Sequence, residues 1–157
     1  MNAFAAISIG TVSAKTIKAM LRTEFDLSNA SANALYLAIA SNPDSGSGSL
    51  SVVASRAFKL VNIKAAPNAT FTENQIRLRA YSVLYAVAKN PGAHWITKYR
   101  LALKGGASMH KYLLDNPNLP PKLLLEIYER STAEIRDTIL KHPSITGDLE
   151  VLLRTTT

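Results

Sequence analysis

The sequence predicts an all-α protein, a short α-solenoid of helix pairs with a 24–26-residue repeat. Three observations predict it. Proline marks a corner at Pro43, Pro67, Pro91, Pro117 and Pro143, in steps of 24, 24, 26 and 26 residues. Four of the five follow Asn or His; Ala66 is the exception. The residue four before each proline is apolar (Ile39, Ile63, Val87, Leu113, Ile139), and the residue eight before is apolar in every case but Lys59. Between the corners, apolar residues recur at helical spacing. Self-similarity at such a period signals short helical units that cannot bury their apolar faces alone and must stack on neighbours. At 157 residues the expectation is one helical-repeat domain over 1–157, less regular over 1–66 and regular over 67–157.

The elements follow in order. The opening apolar run Ala3–Ile9 lacks a basic leader and reads as part of a first packing element, not a signal peptide. Thr11–Phe25 reads as a helix with Ile17, Met20 and Leu21 on one face. A polar corner leads to a short helix over Ala32–Ser41 carrying Leu35, Leu37 and Ile39. Asp44–Ser49, a Gly/Ser run, reads as a surface loop, with a mobile binding loop as the sharper alternative. Leu50–Lys64 returns to helix through Val53, Ala57, Leu60 and Val61. Thr72 and Gln75 have capping-box spacing. They open the longest helix, to Lys89, with Ile76, Ala80, Val83, Leu84 and Val87 in its stripe and Leu78, Tyr81 and Tyr85 widening it. Ala93–Leu103 carries Trp95, Ile96, Tyr99 and Leu103, whose aromatics read as core. Gly105-Gly106 breaks that helix, and Ala107–Leu114 resumes.

The clearest unit runs from Asn116 to Pro143. Pro120 and Pro121 suit a helix start, where a missing N–H costs nothing. Lys122–Arg130 places Leu123, Leu124, Ile127 and Tyr128 on one side. Ser131 or Thr132 caps a second helix, with Ser131 and Glu134 at capping-box spacing. Its stripe is Ile135, Ile139 and Leu140, and His142-Pro143 stops it. Ile145–Leu153 follows with Leu149, Leu152 and Leu153.

The stretch NPNLPPKLLLEIYERSTAEIRDTILKHPSITGDLEVLL, residues 116–153, resembles the leucine-rich-variant repeats, related in shape to armadillo and HEAT arrays. The resemblance covers about the last forty residues and weakens upstream. It implies a right-handed superhelix and a binding role, without naming a ligand. The first helix of that family's repeat is a short 3₁₀ piece, whereas Lys122–Arg130 is long enough here to be α. Some members carry an iron–sulfur domain with clustered cysteines; this chain has no cysteine, so that feature does not carry over.

Charge narrows the functional classes. The net charge is +7, and from Arg56 to Lys111 ten bases face one acid, Glu73. Such a stretch repels itself and attracts anions. The favoured partner is an acidic face on another protein; a DNA or RNA backbone is the alternative. The candidate binding residues are Arg77, Arg79, Lys89, Lys98, Arg100 and Lys104. Beyond Asp115 the charges instead pair at helical spacing: Glu126–Arg130, Arg130–Glu134 and Asp137–Lys141. His94, His110 and His142 lack metal-ligand spacing. His142 stands where other corners carry Asn, which points to a corner hydrogen-bonding role. No glycine loop has phosphate-cradling spacing. Some HEAT-like proteins are DNA glycosylases with an acid in a basic groove, but only Glu73 is on offer here. The expectation is a non-catalytic adaptor or inhibitor with no cofactor and no metal. No stretch is long enough to span a bilayer, so a cytoplasmic location is expected.

Overall fold

In the computed structural model, residues 30–61 and 72–155 are described. The Ala3–Ile9 run, the expected Thr11–Phe25 helix and the Pro67 corner lie outside them. The described residues form helices and connecting turns only, in agreement with an all-α fold. They are α1 (Ala30–Ser41), α2 (Ser47–Val61), α3 (Glu73–Lys89), α4 (Trp95–Leu114), α5 (Pro121–Glu129), α6 (Ala133–Leu140) and α7 (Gly147–Thr155). The chain divides into two compact units, residues 1–94 and 95–157.

In the first unit α3 packs against both α1 and α2, as its broad apolar stripe requires. Ile76, Ala80, Val83, Leu84 and Val87 are all buried. Leu78, expected to widen the stripe, points outward and is 67 % exposed. The α3 N-terminus is a true capping box. Thr72 Oγ1 accepts from the Gln75 amide at 3.4 Å, and Gln75 Oε1 accepts from the Thr72 amide at 3.1 Å. The Gly/Ser run is not an open loop. Its last three residues already belong to the first turn of α2, Ser49 is buried, and Ser45 Oγ donates to the Ile39 carbonyl at 2.7 Å.

In the second unit α4 packs on α5 and α6, and α5 on α6 and α7. Gly106, at φ 64° and ψ −168°, breaks α4 at the expected place. The carbonyl of Ala102 would serve the Gly106 amide in an unbroken helix. His110, buried in the second half of α4, places Nε2 3.0 Å from that carbonyl and Nδ1 3.0 Å from Ser131 Oγ. The carbonyl can only accept, so Nε2 donates. The Ser131–Glu134 capping box does not form. The N-cap of α6 is Thr132, with no side-chain cap bond. Ser131 is engaged by His110, and Glu134 bridges to Lys111 at 3.0 Å. The helix over Pro121–Glu129 is α-helical, with proline in its first turn as expected.

The prolines share a register that burial makes explicit. Around Pro43, Pro91, Pro117 and Pro143, the buried residues are those at −8 (Leu35, Val83, Met109, Ile135) and −4 (Ile39, Val87, Leu113, Ile139). The positions at +10 (Val53, Leu101, Ile127, Leu153) are buried as well. The described positions counted from Pro67 differ. Lys59, Asn74 and Arg77, at its −8, +7 and +10 positions, are exposed.

Candidate functional site

The residue types that most often do chemistry are drawn into the proline corners. In each of four corners, the residue before proline accepts a hydrogen bond from the amide of the residue after it. Asn42 Oδ1 takes the Asp44 amide (3.0 Å), Asn90 Oδ1 the Gly92 amide (2.9 Å) and Asn116 Oδ1 the Asn118 amide (3.0 Å). His142 Nδ1 takes the Ser144 amide at 3.1 Å. This is an Asx-turn with histidine standing in for asparagine. An amide can only donate, so the proton of His142 sits on Nε2.

The other end of these side chains ties one corner to another. Asn90 Nδ2 donates to the carbonyls of Ala40 (2.9 Å) and Asn42 (2.8 Å). His142 Nε2 donates to the Asn116 carbonyl at 3.0 Å, and Ser144 Oγ to the Pro117 carbonyl at 2.9 Å. Asn90, Asn116 and His142 are buried, so the bonds of Asn90 to the Ala40 carbonyl and of His142 to the Asn116 carbonyl answer groups that water does not reach; the Ser144 bond is exposed. The expected corner role of His142 is what the structure shows.

The six candidate binding residues divide between the two units. Arg77, Arg79 and Lys89 lie on α3; Lys98, Arg100 and Lys104 lie on the first half of α4. Arg77, Lys89, Arg100 and Lys104 are exposed, and Arg79 is half-buried. Arg79, Lys89, Arg100 and Lys104 are not bare charges, since each engages a neighbour.

Lys98 is different in kind, being only 3 % exposed. Its Nζ donates to the Asn118 carbonyl at 3.0 Å and reaches Asn116 Oδ1 at 3.4 Å. It braces the Pro117 corner and is not available as a docking cation. The proline register carries the signal. Seven residues after Pro43 stands Leu50 and seven after Pro117 stands Leu124, both buried; seven after Pro91 stands Lys98.

Burial lowers the Lys98 pKa from the ordinary lysine value, because desolvation penalises the ammonium. The unfolded chain then holds this proton more tightly than the folded one, so stability rises as pH climbs from the lowered value to the ordinary lysine range. Tyr36, whose hydroxyl is pushed up by burial and partly brought back by Arg56, acts in the opposite sense. Comparison with Lys98→Met isolates the lysine. Urea midpoints taken from about pH 8 to 10 are expected to rise for the wild type relative to that variant. A constant difference would show that Lys98 carries no desolvation penalty.

The helix bearing Lys98 is turned opposite to its apparent amphipathicity. Trp95, Ile96 and Leu103, which the sequence assigns to the core, are 56, 49 and 41 % exposed. The buried side instead holds Thr97, Lys98, Leu101 and Ala102. Two shallow clefts lie among the described residues. One of about 290 Å³ lies between the Pro43 and Pro91 corners, with Lys89 on its wall. The other, about 250 Å³, lies beside the Lys111–Glu134 bridge. Among the described residues no group of His, Asp and Glu is placed to hold a metal ion, and no helix is long and apolar enough to cross a membrane. No protein-family model, curated protein or solved structure matches this chain.

Proposed function

We propose that this chain is a non-catalytic binding protein, an adaptor or inhibitor on a helical-repeat scaffold of the leucine-rich-variant type, which docks an acidic protein surface. The observation that carries the reading is the division of labour among its polar residues. His110, His142, Asn90, Asn116 and Lys98 are buried and committed to backbone groups. The basic residues Arg77, Lys89, Arg100 and Lys104 face outward. A long-range field of that sign accelerates encounter with an acidic partner and orients it. A second reading, nucleic-acid binding, draws support from the outward Trp95 on the same helix as the exposed Arg100 and Lys104, since bases stack on exposed aromatics near cations.

Poly-L-glutamate and a nonspecific DNA duplex separate the two. The wild-type chain is expected to bind the polyanionic polypeptide with affinity that falls as salt rises, and to shift the duplex weakly. The double reversal Arg100→Glu/Lys104→Glu is expected to weaken polypeptide binding about tenfold without lowering the melting temperature, because exposed charges contribute little to stability. Tight, steeply salt-dependent binding of duplex alone would replace the protein-partner reading with the nucleic-acid one.

A further inference from the structure

The first half of α4 presents a stripe to solvent that a soluble helix normally turns inward. At about 100° per residue, Trp95, Tyr99, Leu103 and Ile96 fall within roughly 100° of one another; Trp95, Ile96 and Leu103 are exposed and Tyr99 among them is half-buried. Arg100 and Lys104 border them on one side. Thr97, Leu101, Lys98 and Ala102 occupy the opposite arc and are buried. The helix contains no acidic residue over its whole length. Ile96, Tyr99 and Leu103 stand at i, i+3 and i+7, the spacing of a helix–helix seam. The break at Gly106 ends the stripe, so the seam is about 12 Å long, two helical turns.

We propose that this stripe is the docking face for an amphipathic α-helix of a partner protein whose apolar seam is flanked by Asp or Glu. The proposal rests on the acidic-partner reading above and specifies where and by what that partner is held. The aliphatic residues choose the occupant. Bases stack on Trp95 and Tyr99 but gain little from branched Ile96 and Leu103, which require an apolar surface. Arg100 and Lys104 fix the sign of the flank. An isologous pairing of two copies through this face would set those cations against their own counterparts. Two turns of seam give an interface well below standard size, which predicts a transient, micromolar complex.

Trp95 is the only tryptophan of the chain, so its fluorescence reads out this face directly. The probe is a 16-residue peptide with Leu at i, i+3 and i+7 spacing and Glu at the flanks, added to the full chain. Controls are a scrambled peptide of the same composition and one with Lys replacing Glu. The seam peptide is expected to blue-shift Trp95 and shield it from iodide with a midpoint on the order of micromolar. The scrambled and Lys peptides are expected to do neither. Ile96→Ser/Leu103→Ser is expected to weaken binding at least tenfold with an unchanged melt. Arg100→Glu/Lys104→Glu is expected to lose the Glu peptide and gain the Lys peptide.

If poly-L-glutamate binds but the seam peptide leaves Trp95 untouched, the stripe assignment falls while the acidic-partner reading stands. If duplex DNA shields Trp95 and the peptide does not, both fall. If the chain alone self-associates and Leu103→Ser dissolves the oligomer, the occupant is a second copy and the proposal is overturned.

Discussion

Replacing Gly105 by alanine is expected to be among the most damaging single substitutions in the second unit, costing about 3 kcal/mol. A Cβ at this position would run into Cβ and Cγ of Met109, a fully buried residue of the second half of α4. The contact is with the root of the side chain and not its flexible end, so no rotamer change relieves it. The two halves of α4 would have to separate, loosening the His110 bond to Ala102 that joins them across the break. For a unit of this size the melting temperature of that transition should fall by on the order of 15 °C. Gly106→Ala should also destabilise, by about 1–3 kcal/mol, for a different reason. Open space surrounds it, but its φ of 64° with an extended ψ is a region only glycine occupies readily. Gly147→Ala is the control: nothing lies near its Cβ position, and stability should change by less than about 0.5 kcal/mol. Thermal unfolding of the three variants checks the set. A Gly105→Ala protein as stable as the wild type would mean that α4 and Met109 do not pack this closely.

The second large effect is expected at the corners. Asn90→Ala removes two donated bonds and one accepted bond, leaving the Ala40 carbonyl and the Gly92 amide short of a partner while the Asn42 carbonyl keeps the Ser45 amide. Each buried group left unsatisfied costs roughly 1–3 kcal/mol, so a total loss of about 3 kcal/mol is expected after partial relaxation. In the other unit His142 does the same work with an imidazole. Asparagine has both the acceptor for the Ser144 amide and the donor for the Asn116 carbonyl. His142→Asn should therefore stay within about 1 kcal/mol of wild type, whereas His142→Ala should lose about 2 kcal/mol. Urea unfolding measures all three. Equal losses for His142→Asn and His142→Ala would refute the equivalence of the corners.

The Gly92 corner shows how tightly these turns fit. A Cβ there would stand 2.9 Å from the Ser45 carbonyl oxygen, a backbone atom that cannot swing away. Glycine at this position answers close approach of two chain segments, not a positive φ, and the Asn90 side chain bonds to both sides of that approach.

Much of the secondary structure follows from the chain itself, because helix ends depend on residues within a few positions. Thr72 and Gln75 begin α3, Pro121 begins α5, the Gly pair breaks α4, and Asn or His before proline closes α1, α3 and α6. The apolar positions at −8 and −4 from each corner are likewise legible, since a helix ending at a corner repeats its inward face every 3.6 residues. Three things were decided only in three dimensions. Lys59 and Arg77 stand at the register positions counted from Pro67 yet are exposed, because spacing says nothing about what a position packs against. Ser131 has the sequence of a capping residue and serves His110, a partner 21 positions away. The first half of α4 has the pattern of a helix that buries Trp95, Ile96 and Leu103. It instead buries Lys98, because the lysine amine can reach the polar groups of the Pro117 corner, which an apolar side chain could not satisfy. Local pattern specifies where helices start and stop; which face goes inward depends on what the neighbouring segment must have satisfied.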